Sequence, residues 1–260
     1  DIDMELIGQS EEIKEINKEE EKIIKLNINT LNSPSLSEIV HPISTKPFIS
    51  FKEPTEERVK SYTKSIFELA SASIKTRLDS IKLDKVVLGV SGGLDSTATL
   101  LFLILSFRMH GMPINNIYAF SLPCFGTTGH TKGNAITLCK LLGCSIEEID
   151  IKNAVTQHFK DIAQDERTED VTFENAQARE RTQVLMDKAN QKKAIVIGSS
   201  DLSEIALGFS TFNGDHMSMY NILSSIPKTV LKHCIEYAIS MPEMFLQDMQ
   251  KEKQFKDVLI

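Results

Sequence analysis

No stretch of this chain is apolar for long enough to cross a membrane or to act as a secretion signal, so no membrane partner is expected. Blocks of basic residues are missing too. With 29 Lys and Arg against 36 Asp and Glu the formal charge is −7, and neutralising a nucleic-acid backbone takes clustered cations. No nucleic-acid partner is expected. The four cysteines, Cys124, Cys139, Cys144 and Cys234, form no C-x-x-C pair, which makes a reducing, cytoplasmic location the default. Cys124 falls in a loop, but no Cys-His constellation supports a nucleophile, and a plain thiol is expected there. Internal repeats are absent as well.

What is present is an ordinary globular composition: 260 residues, 41% hydrophobic and 25% charged, enough for one substantial core and an appendage. Residues 1–50 differ from the rest. Glu11 to Lys25 mixes Glu and Lys densely, and Asn, Ser and the prolines Pro34, Pro42 and Pro47 follow, which predicts a linker with one short polar helix. Thr55-Glu56-Glu57 then offers a cap and an acidic first turn. Val59, Tyr62, Ile66, Ala70, Ile74 and Leu78 recur at helical spacing to about Ser80.

Beyond this helix, short apolar runs alternate with amphipathic ones. Strands are predicted at Val86–Val90, Ile117–Ser121, Ile146–Asp150 and Ala194–Gly198. Helices are predicted at Asp95–Met109, Thr131–Leu142, Ala154–Ala163, Phe173–Asn190 and from about Asp201. Such alternation implies an α/β fold, a doubly wound parallel sheet covered on both faces, with ligands at the carboxyl ends of the strands. Three segments fall at those ends: the loop from Ser91, Pro123-Cys124-Phe125-Gly126-Thr127-Thr128, and Ser199-Ser200-Asp201.

The first is the most informative. Ser91-Gly92-Gly93-Leu94-Asp95-Ser96 follows the apolar run Val86-Val87-Leu88-Gly89-Val90 and precedes a helix. Two glycines allow a tight turn with positive φ, and the unpaired N–H groups of a helix start converge on an anion. Ser91 and Ser96 add hydroxyl donors. Asp95 suits a phosphate site only if Mg²⁺ bridges it to the phosphates. The segment is neither G-x-x-x-x-G-K-[ST] nor G-x-G-x-x-G.

Two further segments hold polar groups in patterns. Asn175, Arg179 and Thr182, in the run from Phe173, stand four and three residues apart within reach of one helix face, as an ordinary surface helix would also place them. In the stretch Gly198 to Tyr220, hydroxyls and Asp201 open a helix, for which capping is a sufficient explanation. Glu204 projects from its first turn, where it could share a metal with Asp95. The following Phe209-Ser210-Thr211-Phe212 and the turn Asn213-Gly214-Asp215 have no such structural explanation.

The Ser91 loop resembles that of the ATP pyrophosphatases, or PP-loop enzymes, which split ATP between the α and β phosphates and transfer AMP to an oxygen. With it, Pro123 to Thr128, Thr131-Lys132, Glu174 to Arg179, Ser199 to Phe212, and Gly214-Asp215-His216 through Pro227-Lys228-Thr229 resemble NAD synthetase, in particular the synthetase domain of the glutamine-dependent type. The resemblance covers roughly residues 40–240. Two residues depart from the family pattern: Ser199 stands where Thr is usual, and His130 where Arg precedes the Thr-Lys pair.

The resemblance implies an adenine-nucleotide α-hydrolase-like fold and ATP-dependent amidation of deamido-NAD to NAD through an adenylate, with release of AMP and pyrophosphate. Gly89, Val90, Ser91, Gly92, Gly93, Leu94, Asp95 and Ser96, with Ser199 and Lys228, would bind ATP. Asp95 and Glu204 would hold Mg²⁺. Asn175, Arg179, Glu204, Phe209, Ser210, Thr211 and Phe212 would contact deamido-NAD, the aromatics by stacking. Asp95, Glu204 and Lys228 would be the catalytic groups. It further implies residues 51–260 as the synthetase domain, C-terminally incomplete, and residues 1–50 as linker and remnant of a preceding glutaminase domain, the source of ammonia. Homo-oligomers are expected of the complete enzyme, and slow turnover of this portion alone. The alternatives are another adenylating PP-loop synthetase, such as a GMP synthetase, and an ATP-binding module without catalysis.

Overall fold

In the computed structural model of the chain, residues 48–49, 55–125 and 129–260 are described, without the side chains of 129–132. The polar helix and linker expected within residues 1–50, and the segment Gly126-Thr127-Thr128, lie outside the described residues. So do the side chains of His130, Thr131 and Lys132.

The described elements run α1 (Glu56–Ile81), β1 (Val86–Gly89), α2 (Leu94–Met109), β2 (Ile117–Ser121), α3 (Gly129–Leu142), β3 (Ser145–Glu148) and α4 (Lys152–Asp161). They continue with α5 (Val171–Lys192), β4 (Ile195–Gly198), α6 (Leu202–Leu207), β5 (Tyr220–Asn221), α7 (Lys228–Ser240) and α8 (Glu252–Leu259). The five strands form one sheet in the order β3-β2-β1-β4-β5, every neighbouring pair parallel. The chain winds outward from β1 through β2 to β3, then returns to the other side of β1 for β4. The gap between the loops that follow β1 and β4 is therefore a topological switch point, where ligands of doubly wound sheets bind.

Alternation along the strands supplies both faces with core residues. Val86, Leu88, Ile117, Ala119, Ile195 and Ile197 join the core formed with α1, α2 and α7. Val87, Phe120 and Val196 point the other way, into a core with Val155 and Phe159 of α4 and Phe173, Ala176 and Ala189 of α5. Helix α2 is apolar all round because it is the inner helix: Ala98 and the unbroken run from Thr99 to Phe107 are buried.

Helix α1 starts as its cap predicts, with Thr55 Oγ1 accepting from Arg58 N at 3.3 Å. Its buried stripe is shifted from the expected one. The inner line is Val59, Thr63, Phe67, Ser71, Ile74 and Leu78, and Tyr62, Ile66 and Ala70 flank it half-buried. The reason is close helix contact: Ser106 Oγ on α2 donates to Ser71 O at 3.0 Å, an approach that a larger residue at 71 would block.

Candidate active site

The loop after β1 turns as its glycines allow, with one difference. Gly92 takes φ +83°, while Gly93 sits in extended conformation at φ −80° as the N-cap of α2. Only one of the two positions needs left-handed backbone. The helix begins at Leu94, so Leu94, Asp95 and Ser96 occupy its first turn. Ser96 Oγ accepts from Ser91 N at 3.3 Å, Ser91 Oγ accepts from Gly93 N at 3.2 Å, and the two hydroxyls are 3.2 Å apart. The serines thus brace the loop and leave the first-turn N–H groups of α2 available to an anion.

Beside this loop is the start of α6. Asp201 is its N-cap, with Oδ1 accepting from Glu204 N at 2.9 Å. Capping does not exhaust its role. The carboxyl is fully buried and its Oδ2 makes no hydrogen bond. Asp95, Asp201 and Glu204 place ligand oxygens within 4.8 Å of one another, the group of acids among the described residues suited to a metal ion. Asp95 Oδ1 is buried with no hydrogen bond, and such an oxygen in an all-carboxylate donor set fits a hard divalent cation such as Mg²⁺. The expected pair, Asp95 and Glu204, is brought together, and Asp201 is a third member that sequence reasoning missed. Its signal, an acid three residues before Glu204, was absorbed by the capping explanation.

Lys228 closes the cluster from the N-terminus of α7. Its Nζ lies 2.9 Å from Glu204 Oε1, 3.1 Å from Asp95 Oδ2 and 3.2 Å from Asp201 Oδ2. Burial works against its charge, but the hydrogen bonds it donates to these carboxylates hold the ammonium above the ordinary lysine range. Burial pushes the Asp95 carboxyl up despite Lys228, with the neighbouring acids adding to the rise. Asp201 shifts the other way: burial raises it, yet the Glu204 N–H and Lys228 outweigh that and hold it low.

On the far side of the loop a cavity of about 340 Å³ opens between the ends of β1, β2 and β4. Its walls include Gly89, Val90, Ser91, Ser96 and Ser199, which the sequence placed with ATP, and Gly198 beside them. Most of the remaining wall is apolar, from Phe120, Leu122, Leu185, Val196 and Ile197, a lining that suits a flat heterocycle. Arg181 and Asp215 also line it; the sequence singled out the turn that holds Asp215 but gave neither residue a site role. Arg181 Nε donates to Leu122 O at 3.2 Å, tying α5 to the β2 loop, and burial lowers its pKa from the ordinary arginine value. Phe125 leaves the site and packs against the stacked pair Phe159 and Phe173. Cys124 is half-buried, and burial raises its thiol pKa, which suits no nucleophile.

The segment after α6 reaches α5. Thr211 Oγ1 donates to Asn175 Oδ1 at 2.8 Å, and Arg179 Nε to Phe212 O at 3.1 Å. Asp215 Oδ1 accepts from Thr211 N at 2.8 Å, which closes the turn. Asn175, Arg179, Thr211 and Phe212 are therefore neighbours, as their shared assignment to one substrate requires. Phe209 and Phe212 are 78% and 82% exposed, unusual for large aromatics in a turn tied down at both ends.

The sequence model of the NAD synthase family matches residues 66–249. The chain is 40% identical over 208 residues to the glutamine-dependent NAD(+) synthetase of Mycobacterium leprae (strain TN), covering 78% of this chain and 30% of that protein. It is 30% identical over 174 residues to the NH(3)-dependent NAD(+) synthetase of Campylobacter jejuni subsp. doylei, covering 67% of each. A solved structure, the glutamine-dependent NAD+ synthetase of Acinetobacter baumannii in complex with ADP, aligns with TM-score 0.64 at 22% identity, over 74% of this chain and 35% of that one, and shares the fold. The chain spans about 30% of the length of the curated glutamine-dependent relative. Matched over most of its length by one family and built around that family's strand-end loop, the chain belongs to the NAD synthases.

Proposed function

We propose that this chain amidates deamido-NAD to NAD at the expense of ATP. The nicotinate carboxylate attacks the α-phosphate, pyrophosphate leaves, and ammonia displaces AMP from the acyl-adenylate. The observation that carries the reading is the convergence of Asp95, Asp201, Glu204 and Lys228 beside the Ser91 to Ser96 loop, at the edge of a cavity of nucleoside size.

A carboxylate must approach a polyanion in the first displacement, so charge neutralisation matters more than covalent help. Ser91, Ser96 and the first-turn amides of α2 cradle phosphate oxygens, and Lys228 supplies a cation. Asp95 and Glu204, with Asp201, hold Mg²⁺, which when bound neutralises phosphate charge. Ser199 and the cavity take the nucleoside of ATP. Asn175, Arg179, Glu204, Ser210 and Thr211 orient the dinucleotide, and Phe209 and Phe212 stack on it, which accounts for their exposure. Covering these rings with substrate also excludes water, which would hydrolyse the acyl-adenylate.

In this reading residues 1–50 join the synthetase domain to a glutaminase domain that delivers ammonia, and the complete enzyme is a homo-oligomer. The test is NAD formation by the purified chain from deamido-NAD, ATP and Mg²⁺, supplied with ammonium or with glutamine. NAD with ammonium alone is the expected result. ATP binding without NAD or pyrophosphate from either source would replace the reading with a nucleotide-binding module.

A further inference from the structure

Lys228 sits where a metal ion would have to go. Its Nζ faces one oxygen each of Asp95, Asp201 and Glu204 at 2.9 to 3.2 Å, and the ligand oxygens of these residues lie within 4.8 Å of one another. Two cations cannot share so small a space without strong repulsion. One lysine is also an incomplete partner for three acids. Its hydrogen bonds go to Asp95 Oδ2 and Glu204 Oε1, Asp201 Oδ2 has only its 3.2 Å ion pair with the same ammonium, and Asp95 Oδ1 is buried with no partner. A buried carboxylate oxygen with no donor, among three acids that share one ammonium, calls for a further positive charge.

The lysine is built to leave. Its backbone is fixed at the first turn of α7, where Lys228 N donates to Ser203 Oγ at 3.1 Å. Its side chain is 40% exposed, so the flexible four-carbon stem can swing out without repacking the core.

Resting on the reading of the cluster as the metal-holding site, we infer that Lys228 is an exchangeable counter-ion. Its ammonium holds Asp95, Asp201 and Glu204 together in the metal-free protein and yields them to a divalent cation, with Asp201 as the third protein ligand. It then turns to the phosphates beside the Ser91 to Ser96 loop. The lysine is thereby released to the nucleotide only once the metal has arrived.

The test measures Mn²⁺ binding by electron paramagnetic resonance, without nucleotide, on the 260-residue chain and on Lys228→Met, Asp201→Asn, Asp95→Asn and Glu204→Gln. Lys228→Met is expected to bind at least about 10-fold more tightly, because its competitor is gone. Asp201→Asn is expected to bind at least about 10-fold more weakly, since even groups that only support a metal's ligands act on that scale. In parallel, acylation of Lys228 by acetic anhydride, followed by mass spectrometry on the unsubstituted chain, is expected to speed up several-fold when Mg²⁺ is added. That readout needs no variant to fold, and a lysine that merely shapes the site would keep its rate. An acylation rate indifferent to Mg²⁺ in a chain that binds the metal overturns the exchange, as does unchanged Mn²⁺ affinity in Lys228→Met. Absence of Mn²⁺ binding to the unsubstituted chain, or full affinity in Asp95→Asn and Glu204→Gln, instead overturns the metal reading beneath it.

Discussion

Gly198, the last residue of β4, faces Ser218 so closely that a Cβ at position 198 would lie 2.4 Å from Ser218 Oγ and 2.8 Å from Ser218 Cβ. The hydroxyl could rotate away, but the Cβ cannot move without shifting the backbone that enters β5. Gly198→Ala is therefore expected to destabilise the chain by about 1–3 kcal/mol, the usual range for overpacking a tight site. Because Gly198 also lines the strand-end cavity, ATP affinity should fall in the same variant. Urea denaturation and nucleotide titration check the two effects separately.

The hydrogen bond from Thr211 to Asn175 joins the turn after α6 to α5. Thr211→Val removes the donor and keeps the shape, at a net cost of about 1 kcal/mol. The expected outcome is a rise of about 5-fold in KM for deamido-NAD, which 1 kcal/mol corresponds to, with KM for ATP nearly unchanged. Steady-state kinetics with each substrate varied in turn would show it. Equal rises in both constants would place the turn outside the dinucleotide site.

Asp95 and Asp201 give stability opposite dependences on pH. Burial raises the Asp95 carboxyl, so the native state binds its proton more tightly than the unfolded chain does. Its contribution is fully present below the ordinary value of 3.8 and is lost as pH rises through the folded value. Asp201 is held low, so its contribution is present above 3.8 and is lost as pH falls through the folded value. In a chelator, Asp95→Asn is expected to melt at or above the parent at neutral pH and to lose that advantage at acid pH. Asp201→Asn is expected to melt below the parent at neutral pH. Thermal melts across a pH series decide between these outcomes.

Arg108, in the last turn of α2, anchors the segment between α7 and α8. Its Nη1 donates to Met244 O at 3.2 Å and Leu246 O at 2.9 Å, while Nε and Nη2 are buried without partners. Burial lowers its pKa from the ordinary arginine value, a sign that the charge itself is poorly accommodated. Arg108→Ala is expected to cost about 1–3 kcal/mol through the lost hydrogen bonds and packing. Arg108→Met, which keeps the stem and discards the charge, should cost less. Denaturation of both variants tests the order.

Much of the fold was legible because it is local. Ile117–Ser121 matches its predicted strand residue for residue, and the other predicted strands and helices fall within two residues at most ends, since hydrophobic period and caps act over a few residues. Strand β5 went unread because it is two residues long and shows no period. It exists only by pairing with β4, where Ile197 is registered with Tyr220. Helix α7 was not predicted, although Lys228 at its start was picked out. The shifted stripe on α1 was also out of reach, since Ser71 is buried by the approach of Ser106, 35 residues away.

The glycine turn at Ser91 to Ser96, the alternation of strands and helices, and the family were legible in the sequence, because glycine spacing, hydrophobic period and residue order are written in neighbouring positions. It took the packed fold to bring Asp201 to Asp95 and Glu204, to let Lys228 reach Asp95 across 133 residues of chain, and to turn Arg181 and Asp215 to the same cavity as Ser91. These meetings occur where the loops after β1 and β4 are brought side by side by the order of strands in the sheet. That order is set by how both faces bury their apolar residues together, a property of the whole packed chain and of no single segment.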